Sequence, residues 1–161
     1  MTGALVIGGP VIGELAAPAR AQQSDDDRHE GYYYPAPQTT ESYTARVVTL
    51  SESNRERRIG FVTGLTQQLL GGDYAPSYAI FAKGEEAEKL IIVGLMDGEL
   101  NTIYRMRALL ANLTAVSRAT PFFRENTLPE YATFFDLLKL LGFEQLTLTD
   151  GVGLTHQVTI E

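Results

Sequence analysis

Two stretches of the chain contain residues whose types could do chemistry, and the first is the acidic segment SDDDRHE, residues 24–30. It places four carboxylates, one arginine and one histidine next to each other. Carboxylate and imidazole groups bind divalent metals, but this spacing matches neither an EF-hand loop nor a tetrahedral zinc site. We interpret residues 22–30 as a soluble acidic tail, with metal binding as the alternative.

The second stretch surrounds His156, the one histidine in the segment expected to fold. His156 alternates with Leu154 and Val158, which places it in the core-facing row of a strand and indicates a neutral, hydrogen-bonded core histidine. A catalytic base there would need a nucleophile and an orienting carboxylate, and Asp150 at the expected turn lies too far along the strand. A concave pocket with polar groups converging on His156 would instead favour ligand binding.

Recognised catalytic motifs are missing from the sequence. It contains no G-x-S-x-G elbow, no H-E-x-x-H and no phosphate-binding P-loop. There is no cysteine, which excludes a thiolate nucleophile, a disulfide scaffold and a Cys-ligated metal cluster. We therefore assign no catalytic, cofactor-binding or metal-binding residue, and we expect no cofactor.

Aromatic residues follow the acidic tail in the stretch GYYYPAP, residues 31–37. The prolines favour extended backbone, and three adjacent tyrosines cannot all face one way in an extended chain. One interpretation is an arm that packs across its own domain. The other is an interface arm, in which Tyr32, Tyr33, Tyr34 and Pro35 bind a protein partner.

Composition narrows the possible partners. The chain has 161 residues, of which 20 are acidic and 13 basic, giving a net charge of -7. This balance argues against a nucleic-acid binder, which needs clustered cations to neutralise phosphates. No apolar run reaches the roughly 20 residues that a membrane-spanning helix needs.

The first 21 residues have the features of an export signal. Residues 4–13, ALVIGGPVIG, form an apolar run, and Ala19 and Ala21 supply the small-x-small pattern of a signal-peptidase site. We therefore predict a signal peptide at 1–21 and a periplasmic protein. A buried N-terminal strand or helix is the alternative.

The remaining residues divide into an acidic tail and Pro-rich arm at 22–41 and a single domain at 42–161. The hydrophobic patterns predict an α+β fold with a mostly antiparallel sheet and a helix pair packed on one face. We expect the first helix to be capped by Asp97 and the second to begin with a capping box at Thr127 and Glu130 and to stop at Gly142. The predicted strands cover 42–50, 57–67, 78–84 and 89–96, and a C-terminal hairpin follows the helices.

Several of these pieces together resemble a known family. DDRHEGYYYP, FAKGEEAEKLIIV, FFRENTLPEYATFFDLLKLLGFE and the closing TDG with its following His and Glu are similar to small exported bacterial proteins of unassigned role. Some members are labelled molybdopterin-guanine dinucleotide biosynthesis protein A. That nucleotidyltransferase uses an L-A-G-G-x-S-x-R-M-G loop, and VIGGPVIGELAAPAR in this chain has the glycines but neither the Ser nor the R-M-G.

Two functional hypotheses follow from the sequence. The first is a non-enzymatic periplasmic interaction protein that docks through the aromatic arm on a protein partner in the cell envelope; a membrane respiratory complex such as the proton-pumping NADH dehydrogenase is one candidate for that partner. The alternative is a nucleotide-binding or small-ligand-binding protein or enzyme, with nucleotidyl transfer as its most specific form.

Overall fold

The computed structural model describes residues 36–126 and 128–161. The chain is α+β, with one mixed sheet of five strands and four helices in this part of it. In chain order these are β1 (Thr39–Tyr43), α1 (Arg55–Leu70), β2 (Tyr78–Lys83), β3 (Lys89–Gly94), α2 (Ile103–Ala119), α3 (Pro121–Glu125), α4 (Phe134–Leu140), β4 (Gln145–Thr149) and β5 (Thr155–Ile160).

The sheet is mixed rather than mostly antiparallel, and its strand order is β1-β5-β4-β3-β2. The two hairpins, β2–β3 and β4–β5, are antiparallel as predicted. The other two pairs, β1–β5 and β3–β4, are parallel. A parallel pair needs a crossover connection, and the helices α2, α3 and α4 provide it between β3 and β4.

The largest error in the sequence-based expectation concerns residues 57–67, which form part of helix α1 and not a strand. Asn54 caps this helix, because its side chain accepts a hydrogen bond of 2.9 Å from the Arg57 backbone N–H. Arg58 and Val62 face the interior at helical spacing. The prediction of a strand over 42–50 is also wrong in its bounds. Strand β1 begins earlier, at Thr39, and ends at Tyr43.

The starts of the two predicted helices also differ from expectation. Thr102, not Asp97, caps α2, and its hydroxyl accepts from the Arg105 backbone N–H. The second predicted helix begins only at Phe134, where the Asp136 carboxylate accepts from the backbone N–H of the cap residue Thr133 at 2.7 Å. Thr127 lies outside the described residues.

The end of α4 confirms the stop signal at Gly142, which adopts a positive φ of 80°. The Gly142 N–H donates to the Lys139 carbonyl, and the Phe143 N–H donates to the Leu138 carbonyl, both at 2.9 Å. These two bonds form the Schellman motif that closes many helices.

One face of the sheet carries the core. Ile80, Ile92 and Leu148 lie side by side in the strand register, and all three are buried. Buried side chains of α1, α2 and α4 belong to the same apolar cluster, so these helices cover one sheet face, as expected for the predicted helix pair. Within the described part of the chain, no helix has both the length and the hydropathy needed to cross a bilayer.

Candidate functional site

His156 lies in β5 with both ring nitrogens engaged by side chains of β1. Its Nδ1 lies 2.8 Å from the Thr39 hydroxyl, and its Nε2 lies 3.1 Å from Oε1 of Glu41. The imidazole is 7% exposed, whereas the Glu41 side chain is 45% exposed and its other oxygen lies 4.0 Å from Arg107 on α2. The prediction of a buried, hydrogen-bonded histidine is therefore confirmed.

The carboxylate that orients His156 belongs to Glu41, whereas the carboxylate of Asp150 binds backbone N–H groups of the β4–β5 turn. One Asp150 oxygen accepts the N–H groups of Val152, Gly153 and Leu154, each at 2.9 Å. Burial alone would raise the pKa of Asp150, but these donors outweigh it and lower the pKa below its ordinary 3.8. Asp150 therefore caps the hairpin turn.

Hydroxyl, imidazole and carboxylate in a row is the order found where a base activates a nucleophile. In this protein the row joins two neighbouring strands, because Thr39 is the register partner of His156 and Glu41 follows two residues later on the same face. The pair of hydrogen bonds ties β1 to β5. We interpret the three residues as a strand clip.

A concave feature lies between α1 and α2, and we call it the α1–α2 cleft. Its volume is about 460 Å³, within the range of small-molecule sites. Leu137 in α4 and Leu141 just after its last residue, both 2% exposed, form its floor. Its lining residues are Arg57, Gly60, Phe61, Gly64, Leu65 and Gln68 from α1, Leu113, Val116 and Ser117 from α2, Thr120, Phe122, Leu137 and Leu141.

Two glycines of α1 form part of the cleft wall. Gly60 and Gly64 are one helical turn apart on the lining face, and both are exposed. A Cβ atom at either position would lie more than 4 Å from any atom outside the helix's own backbone. Alanine would fit at both positions and would stabilise the helix relative to glycine. Packing within the protein therefore does not explain why these two residues are glycines.

Hydrogen-bonding groups in the cleft are mostly committed within the protein. The Ser117 hydroxyl donates to the Leu113 carbonyl, and the Thr120 hydroxyl donates to the Ser117 carbonyl, each at 2.6 Å. Arg57 is the cation of the lining. Its guanidinium lies 6.0 Å from the centre of the Phe122 ring, at the N-terminal end of α1.

Sequence reasoning missed the cleft because it assigned residues 57–67 to a strand. The spacing of Arg58, Val62, Leu65 and Leu69 is the helical signal that could have revealed α1. Phe122, in α3, also lines the cleft. Phe123 and Phe134 are buried and belong to the core.

Several sequence-based candidates lie outside the described residues. They are the signal peptide at 1–21, the acidic cluster at 24–30 and the arm residues Tyr32, Tyr33, Tyr34 and Pro35. Export, metal binding and partner docking through the arm therefore stay predictions. In residues 36–126 and 128–161, no group of three or more acidic or histidine side chains could hold a metal ion.

No family model, no curated protein and no solved structure matches this chain. The resemblance to small exported bacterial proteins accordingly stays an expectation from the sequence. The geometry of the α1–α2 cleft and of the strand clip is what the structure offers for a functional argument.

Proposed function

We propose that this is a non-enzymatic binding protein that holds a small apolar molecule in the α1–α2 cleft. The observation that carries the proposal is the cleft itself: about 460 Å³ with walls from Phe61, Leu65 and Val116 and a floor from Leu137 and Leu141. Removing apolar surface from water is the main favourable term in binding, and this lining supplies such surface on three sides.

The two glycines support the proposal. A helix packed only for stability would gain roughly 1 kcal/mol from alanine at Gly60 or Gly64, because alanine fits both positions. The chain instead keeps a smooth wall at two successive turns, which lets a ligand approach the backbone of α1 closely.

Nucleotide binding, the more specific alternative from the sequence, fits this cleft poorly. A nucleoside triphosphate carries several negative charges, whereas the lining offers the guanidinium of Arg57. The hydroxyls of Ser117 and Thr120 already donate to helix carbonyls and are not free to donate to phosphate oxygens. Of the two forms of that alternative, the geometry favours a protein that binds a small ligand other than a nucleotide.

The proposal retains the expectation that the protein is exported and works in the periplasm. Docking of the aromatic arm on a respiratory complex is a separate hypothesis, and the described residues provide no contact that supports it. The cleft hypothesis does not depend on the arm.

Calorimetric titration of the full chain with decanol, a neutral apolar probe, tests the proposal. We expect saturable binding to the wild type and a loss of at least about tenfold in affinity in Gly64→Leu, whose side chain would fill the cleft. Thr63→Leu is the matched control, because Thr63 is exposed on α1 and does not line the cleft.

Three outcomes would overturn the proposal. The wild type could fail to bind decanol, or Gly64→Leu could bind it as well as the wild type. In the third outcome, residues 1–35 or a second copy of the chain occupy the cleft and exclude the probe. A cross-link to that segment, or a dimer, would then be observed in the wild type and lost in Gly64→Leu.

A further inference from the structure

We infer that the ligand of the α1–α2 cleft is a single-chain amphiphile with one anionic headgroup, which binds at Arg57. This inference rests on the proposed function and adds the chemical class of the ligand. It follows from the position of one cation at one end of a long apolar surface.

Arg57 is placed where a headgroup would reach the solvent. It lies in the first turn of α1, and its side chain is 37% exposed. Its guanidinium stands over the ring of Phe122, so both the cation and an apolar surface meet at this end of the cleft. The positive end of the α1 dipole lies in the same turn and favours a negative group there.

The present partner of Arg57 can be exchanged for a ligand. Nη1 of Arg57 lies 3.1 Å from Oε1 of Glu52, whose side chain is 56% exposed. Ion pairs at such exposure contribute little to stability, because water screens them and both side chains must be ordered. A ligand carboxylate that is partly desolvated by the cleft can form a bidentate pair with the same guanidinium.

The cleft extends away from Arg57 over a distance that suits a medium-length alkyl chain. From Arg57 to Gln68 the lining face of α1 advances eleven residues, or about 16 Å at 1.5 Å per residue. A chain lying along this face passes Gly60 and Gly64, where no side chain intervenes. Gln68 then marks the far end with a polar group.

This arrangement predicts a dependence on chain length. Each methylene that enters the cleft should raise the affinity about fourfold, which is the effect of burying one such group. The gain should stop once the tail extends beyond Gln68, because further methylenes stay in water.

The test is calorimetry of the full chain with four ten-carbon probes below their micelle concentrations: decanoate, decyl phosphate, decanol and decylammonium. We expect decanoate to bind at least about tenfold more tightly than decanol, and decylammonium to bind more weakly than decanol. Decyl phosphate shares the anionic chemistry, so its affinity relative to decanoate distinguishes a phosphate headgroup from a carboxylate.

Variants of three residues make the test specific. Arg57→Gln should abolish the preference for decanoate over decanol, whereas Arg55→Gln, an exposed arginine outside the cleft, should keep it. Glu52→Gln should strengthen decanoate binding, since it removes the competing carboxylate from Arg57.

The two levels of the proposal fail separately. Equal wild-type affinity for decanoate and decanol, or a preference that survives Arg57→Gln, would overturn the anionic headgroup and leave the apolar cleft site standing. Failure of all four probes to bind would overturn the cleft function itself.

Discussion

Nε2 of His156 lies 3.1 Å from Oε1 of Glu41, and this contact joins the last strand of the chain to the first described one. On the other side of the ring, Nδ1 lies 2.8 Å from the hydroxyl of Thr39. Among residues 36–126 and 128–161, β1 lies at the edge of the sheet with β5 as its one strand partner, so these side-chain bonds add to a single ladder of backbone bonds. His156 therefore stabilises the attachment of β1 to the sheet.

Replacing His156 should loosen β1. We expect His156→Leu to lower the free energy of unfolding by about 1–3 kcal/mol, because the Thr39 and Glu41 groups lose their partner. Amide hydrogen exchange in Thr39–Tyr43 should accelerate more than exchange in β3. Glu41→Gln, which can still accept from the ring, should have a smaller effect. Unchanged exchange in β1 would contradict the strand clip.

Asp136 should make the protein sensitive to acid. Its carboxylate is buried, which alone would raise its pKa, but the N–H groups of Arg46 and Thr133 and the hydroxyls of Tyr43 and Thr133 outweigh burial and lower the pKa below 3.8. A lowered folded-state pKa stabilises the fold above the unfolded-state pKa, and this contribution disappears as pH falls through the folded-state value.

Asp136→Asn should therefore lower the free energy of unfolding by about 1–3 kcal/mol near neutral pH. The difference from the wild type should shrink as the pH falls below 3.8, measured by urea unfolding at a series of pH values. Glu130→Gln is the control: Glu130 is exposed, so its replacement should change stability little at any pH. A difference that does not depend on pH would refute this role of the Asp136 charge.

Arg58 should be a stabilising residue despite its charge. Its Nε donates to the Glu86 carbonyl at 2.8 Å, and its Nη1 lies within hydrogen-bond distance of the Leu141 and Gly142 carbonyls. It therefore joins α1, the β2–β3 turn and the end of α4. We expect Arg58→Met to lower the urea midpoint by the equivalent of about 1–3 kcal/mol, since carbonyls would lose their donor. Arg55→Met, on the exposed side of α1, should have a much smaller effect.

Replacing a glycine of the cleft wall with alanine should stabilise the fold. Gly64→Ala should raise the thermal midpoint, with a gain of about 0.5–1 kcal/mol, because alanine is a better helix former and has room there. Differential scanning calorimetry measures this gain. Gly84→Ala is the contrasting variant, since Gly84 has a φ of 95° and a Cβ there would collide with the Glu88 carboxylate. A destabilised Gly64→Ala would show that α1 needs the glycine for its own conformation.

The sequence was sufficient to predict an element correctly where the local pattern and the tertiary environment favour the same structure. The sequence predicted a strand over 89–96, and β3 (Lys89–Gly94) lies there, between β4 and β2, with Ile91 and Ile92 buried. The C-terminal hairpin and the stop at Gly142 also rest on contacts between residues close in sequence. Such features depend on interactions that a short window of sequence contains.

Helix α1 was mispredicted because the evidence for it is not local. Ile59, Phe61, Thr63 and Leu65 alternate as strand residues do, and Gly60 and Gly64 lower helix propensity. The helical reading requires Arg58 to count as an interior residue. Arg58 is interior because carbonyls from Glu86, Leu141 and Gly142 surround its guanidinium, and these residues are distant in the chain.

The sequence by itself determined the α+β class, the two hairpins and the apolar stripes of α2 and α4, since propensity and periodicity act over a few residues. Only the tertiary structure decided the parallel pairings, because each joins strands separated by a long crossover. It also decided the α1–α2 cleft and the clip at His156. Both bring together residues that are distant in the chain: the cleft forms where α1, α2 and the end of α4 meet, and the clip forms where β1 pairs with β5.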